Sequence, residues 1–108
     1  MIAPPNPPEH RIVQQPAKRA ILAASWYAKG LTHPDAMTCA SNVHPRGTRL
    51  RVRISHLHPS LHIKVNDFGP DPLHPEAAGR SLDVSRGVAR KLGFLKRGVA
   101  FLEVEVLP

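Results

Sequence analysis

A single small domain of mainly β structure is predicted by this sequence, on three observations. Arg49-Leu50-Arg51-Val52-Arg53-Ile54 alternates strictly between charged and apolar residues, Leu61, Ile63 and Val65 alternate again after a His58-Pro59-Ser60 turn, and Val99 to Leu107 alternates a third time. A period of two puts every second side chain on one face of a strand, so each run has a buried face and a wet one. A chain of 108 residues has room for one core, large enough to fold without staples.

The elements follow in order. Met1 to Pro16 carries Pro4, Pro5, Pro7, Pro8 and Pro16 with few aliphatic side chains, a composition that forms no regular helix and packs no core. Residues 1–18 are therefore read as an extended or disordered arm, and 19–108 as the domain. No uninterrupted apolar segment behind a basic start is visible, so no secretory signal is read, and no stretch is long enough to span a membrane. Ala20 to Tyr27 is apolar, and periodicity alone does not separate an early strand from a helical turn. In Arg49–Ile54, Leu50, Val52 and Ile54 face the core while Arg49, Arg51 and Arg53 share the outer face. Leu61 to Val65 returns as the second strand of a hairpin.

That strand ends at Asn66-Asp67, and Gly69-Pro70 breaks it, followed by a proline-broken loop from Asp71 to Gly79 that carries Glu76. Leu82 returns to the core, and Ser85 is the predicted cap of a helix over Arg86–Leu92, in which Val88 and Leu92 lie one turn apart and Gly93 ends the run.

Composition narrows the partners. The net charge of +7 and a sequence pI of about 10.6 suit nucleic acid, anionic lipid or an acidic cell-wall polymer, or simply keep a small domain in solution. Aromatic residues make up only 5% of the chain, a thin platform for stacking single-stranded bases. The single cysteine, Cys39, excludes an intramolecular disulfide and reads as a small buried residue. His56, His58 and His62 cluster around the hairpin turn, but a third zinc ligand across two strands is hard to arrange, so exposed turn histidines are read and no metal is assigned.

Asp67 is the candidate catalytic residue. A carboxylate at a strand end projects from a rim, where a catalytic acid is commonly found. The alternative is that Asp67 accepts turn hydrogen bonds, as Asn-Asp before Gly-Pro does elsewhere. Asp83, two residues before the cap, is read as favouring the helix N-terminus or as touching substrate.

Four blocks in order carry a resemblance to a known family: Ala24-Ser25-Trp26-Tyr27, Thr38-Cys39-Ala40-Ser41 through Pro45-Arg46-Gly47-Thr48, Lys64-Val65-Asn66-Asp67-Phe68-Gly69-Pro70, and Arg80-Ser81-Leu82-Asp83-Val84-Ser85 leading to Leu92-Gly93. The chain resembles the rare lipoprotein A (RlpA) family. The resemblance implies a six-stranded double-psi β-barrel with one or two short helices, and favours a strand at Ala20–Tyr27. It implies lytic transglycosylase chemistry on peptidoglycan with Asp67 as acid and base, no cofactor, a monomer, and a place in the cell envelope.

The chain departs from the family pattern in places. The loop after the tryptophan-tyrosine block shrinks to Ala28–Met37, the family's glutamate there is missing, and Ser41 stands at the family's histidine position, with Asp35 and His44 nearby. Asp35, Ser41 and Asp83 are candidate substrate contacts, joined by Trp26 and Tyr27 as sugar-stacking or core residues, and by the Arg49, Arg51, Arg53 face for an anionic polymer. Two other functions stay open: a non-catalytic glycan-binding barrel and a basic nucleic-acid-binding barrel, the latter disfavoured by the few aromatics.

Overall fold

The computed structural model describes residues 18–68 and 81–108. Nearly all of the proline-rich arm, Gly69-Pro70, the loop with Asp71 and Glu76, and Arg80 lie outside the described residues. Six strands and one helix make up the rest: β1 (Arg19–Tyr27), β2 (Thr38–Ser41), β3 (Arg49–Arg53), β4 (Leu61–Phe68), β5 (Leu82–Ser85), α1 (Arg86–Leu92) and β6 (Val99–Val106). The strands close into a barrel in the order β1-β5-β2-β4-β3-β6. β1 with β5 and β2 with β4 are parallel, and the other four pairings are antiparallel.

The alternating runs fold as their pattern requires. Leu50 and Val52 from β3, Ile63 and Val65 from β4, and Leu102 and Val104 from β6 are buried inside the barrel, with Cys39, Leu82, Val84 and Ala24 completing the wall. Ile54 falls just past the end of β3 and still packs against this core. The strand predicted to reach Leu107 stops at Val106. β1 is a strand whose outward Ile21 is 70% exposed, which explains why an apolar run without alternation hid its period.

α1 plugs one end. Ser85 caps it, with Oγ accepting from the Val88 amide at 3.2 Å while donating to the Ala36 carbonyl at 2.6 Å. Gly93 ends it at φ 88°, a left-handed conformation that favours glycine, and its amide donates to the Ala89 and Arg90 carbonyls. Val88, Ala89 and Phe94 seal the core. Gly87 packs so closely on the 28–37 loop that a Cβ there would lie 2.4 Å from the Asp35 carbonyl oxygen.

The outer surface is ordered by charge. Glu105 on β6 pairs with Arg19 (3.4 Å) and Arg51 (3.0 Å), and Glu103 pairs with Arg53 (2.8 Å). The arginine face of β3 is thus partly engaged by its neighbour strand.

Candidate functional site

Strand register decides which side chains meet. β2 and β4 run in parallel with Cys39 level with Val65, but the next step of β2, Ala40, is level with Asp67. Strict alternation would have put Asn66 there and turned Asp67 toward the interior with Val65. The bulge uses two residues of β4 against one step of β2 and re-aims the acid to the outer face, a common use of bulges beside functional sites. Ala40 is also level with Asp83 on β5, and Asp83 is level with Ser25 on β1. One row across the wall therefore reads Ser25, Asp83, Ala40, Asp67, with two carboxylates flanking a methyl group.

The chemistry of that row is distinct at each end. Asp67 is 49% exposed and lies 3.7 Å from the Arg46 guanidinium. The Ser25 hydroxyl donates a hydrogen bond to Asp83 Oδ1. Tyr27 shares the outward face of β1 with Ser25. Its hydroxyl is buried and finds no hydrogen-bond partner among the described residues. Burial first, then the charges of Asp67 and Asp83 and lastly Cys39, push the phenol up to about 12. Both carboxylates thus bear on the same hydroxyl.

The other candidate residues are placed elsewhere. Trp26 packs against the core and donates its Nε1–H to the Leu95 carbonyl at 3.0 Å. Asp35 is held by Arg86 Nε and Nη2 (2.9 and 2.8 Å) and by Arg90 (3.1 Å), and the Arg86 hydrogen bond foremost holds its carboxyl down at about 2. Asp35 ties the short loop to α1. Ser41 Oγ accepts from the amides of Val43 and His44 at 3.0 and 2.8 Å, and this turn folds the buried His44 ring back to 3.5 Å from the same oxygen. Burial lowers the His44 pKa, so the ring is held neutral. Cys39 lies inside the barrel with its thiol pushed up to about 12 by burial, which removes it as a nucleophile. Among the described residues, no three histidine, cysteine or acidic side chains converge to hold a metal.

Reading the sequence alone missed Ser25 and Arg46. Arg46 had a visible signal in the Pro45-Arg46-Gly47 turn, whereas the Ser25 to Asp83 contact depends on a parallel pairing of strands 58 residues apart.

Comparison with known proteins places this geometry. The family model described as lytic transglycolase matches residues 19–104. A probable endolytic peptidoglycan transglycosylase RlpA of Nostoc sp. is 41% identical over 75 residues, 69% of this chain and 19% of that protein. The endolytic peptidoglycan transglycosylase RlpA of Neisseria meningitidis serogroup A is 35% identical over 93 residues, 76% of this chain and 36% of that protein. The chain thus spans well under half the length of either relative. Among solved structures, the Streptomyces papain inhibitor superposes with a TM-score of 0.60 at 18% identity, covering 85% of this chain and 96% of the inhibitor. An expansin of Clavibacter michiganensis, solved as a mutant with cellohexaose, gives 0.60 at 18%, covering 83% and 50%. At such identities the likeness establishes the fold alone, a double-psi β-barrel. The match over nearly all of the described domain makes this chain a member of the RlpA-like lytic transglycolase family.

Proposed function

We propose that this domain acts on peptidoglycan in the cell envelope, cleaving the link from N-acetylmuramic acid to N-acetylglucosamine without hydrolysis. Asp67 is the acid and base of that reaction. Its carboxyl gives a proton to the glycosidic oxygen as the C1–O bond breaks, and the resulting carboxylate takes the proton of the sugar's C6 hydroxyl as that oxygen bonds to C1. The products are an anhydro end and a free hydroxyl on the departing strand, and Asp67 regains its proton. No cofactor enters this chemistry.

The observation that carries the reading is the bulge that brings Asp67 to the outer face, level with Asp83 across Ala40. The relatives' names as peptidoglycan transglycosylases support it. Asp83 also favours a second reading. Two carboxylates two strand spacings apart, about 10 Å at the backbone, resemble the arrangement that admits a water in an inverting hydrolase.

Incubating the protein with sacculi and analysing the released muropeptides by mass separates these readings. Anhydro ends support the lyase, reducing ends the hydrolase, and saturable binding without release a glycan-binding module. Asp67→Asn keeps the shape and loses the transferable proton, so release should fall at least about 1,000-fold with sacculus binding unchanged. Full release by this variant removes Asp67 from the mechanism.

A further inference from the structure

β4 carries a second outward feature on the face to which the bulge brings Asp67. Lys64 is level with Thr38, and Asp67 with Ala40. Thr38 and Ala40 are two residues apart on β2 and so share a face, which puts Lys64 and Asp67 on that face too, one pleat repeat or about 7 Å apart. Without the bulge, three residues of spacing would have set them on opposite faces.

The neighbours of Lys64 are cationic. Arg49 on β3 is directly opposite it, and Arg51 is opposite His62, with Arg51 Nε 3.5 Å from His62 Nε2. Like charges facing across a strand pair cost stability. Arg51 has Glu105 to offset this. Arg49 has no glutamate opposite it, because Leu107, just past the end of β6, takes the backbone position beside it, and its guanidinium donates to the Pro108 main-chain oxygen at 2.6 Å. Lys64 has no acidic partner among the described residues. These side chains edge a groove of about 230 Å³ that Met37 and Leu107 also line.

We infer that the groove between Arg49, His62 and Lys64 is a carboxylate subsite, which holds an acidic group of the glycan strand while a neighbouring sugar link lies at Asp67. The inference rests on the peptidoglycan reading above and adds to it the charge of the substrate. A carboxylate in the groove offsets the Arg49 and Lys64 repulsion, accepts hydrogen bonds from both, and leaves the carbon skeleton of its sugar against Met37 and Leu107. Arg51 and Arg53 take no part, since β6 already supplies their carboxylates.

The test is an NMR titration of the intact chain with a soluble N-acetylglucosamine–N-acetylmuramic acid tetrasaccharide, its neutral methyl ester, and a stem tetrapeptide. The expected result is that the acid form shifts the signals of Arg49, His62 and Lys64 together with those of Tyr27 and Asp67. The ester should shift only the latter and bind about ten-fold more weakly. Arg49→Ser with Lys64→Ser should bring the acid form down to the ester's affinity, while Arg51→Ser with Arg53→Ser should not. Groove shifts with the tetrapeptide alone also uphold the subsite and assign its carboxylate to the peptide. Equal affinity for acid and ester, or groove signals that ignore all three ligands, overturns it. Groove shifts without any at Tyr27 and Asp67 keep the carboxylate site and defeat the cleavage reading instead.

Discussion

Two walls of this barrel are built from the same kind of strand and end up electrostatically opposite. Where β6 lies between β1 and β3, the outward Glu103 and Glu105 meet Arg19, Arg51 and Arg53, so each of these five charges has its complement. Where β4 lies between β3 and β2, the outward His62 and Lys64 meet Arg51 and Arg49, and the row ends at a carboxylate turned outward by a bulge. The three arginines of β3 looked equivalent as sequence. Register separates them: two complete a wall, and one is left facing a lysine.

The contrast can be broken most severely on the β6 side. Glu105→Lys removes two ion pairs and sets a cation between Arg19 and Arg51, so the fold should lose about 1–2 kcal/mol, read from urea unfolding with an unchanged slope. No loss would mean that the wall is indifferent to its charges.

A substitution of opposite sign sharpens it. Lys64→Glu gives Arg49 a partner, so stability should rise by about 0.5 kcal/mol while affinity for sacculi falls. A variant that is both more stable and a better binder contradicts the carboxylate subsite. The opposed signs are what mark a residue kept for binding rather than for folding.

The smallest effect lies away from both walls, at Asp35 and its two arginines. Its carboxyl is held at about 2 in the folded chain against 3.8 in the free residue. The contribution is therefore present above about pH 4 and is lost as pH falls through about pH 2. Asp35→Asn should flatten the acid limb of a urea-midpoint profile by lowering its neutral end, with the two proteins converging near pH 2, and the drop should be small because the pair with Arg86 is exposed and screened. An identical acid limb in both proteins would show that this ion pair is a bystander.

The barrel was readable from the sequence wherever one face of a strand is wet. β3, β4 and β6 announced their period, and Ser85 and Gly93 marked the ends of α1 by the local chemistry of caps. β1 did not, because apolar side chains such as Ile21 and Ala23 occupy its outer face as well. The candidate site was legible only as a list of acids. Asp67 was named from its strand end, but the bulge that re-aims it is a one-residue register shift and leaves no composition signal. The Asp83 to Ser25 bond and the burial of the Tyr27 hydroxyl depend on which strands become neighbours. His44 was closer to legible, since a serine three residues before it can accept its amide and fold the ring back.

The strand order has a consequence for how the molecule assembles. β1, the first of the six strands in sequence, is hydrogen-bonded to β5 and β6 and, among the described residues, to none of β2, β3 and β4. Its edges stay unpaired until nearly the whole domain has been synthesised, and each pairing closes a long loop, which slows folding. β6 is the keystone that joins the first strand to the third, so a chain interrupted before Val99 presents two open edges, at β1 and β3. Its charged outward residues, Glu103 and Glu105, then serve a second purpose: by matching the cations on those edges they select the right strand to close the ring over a stranger's.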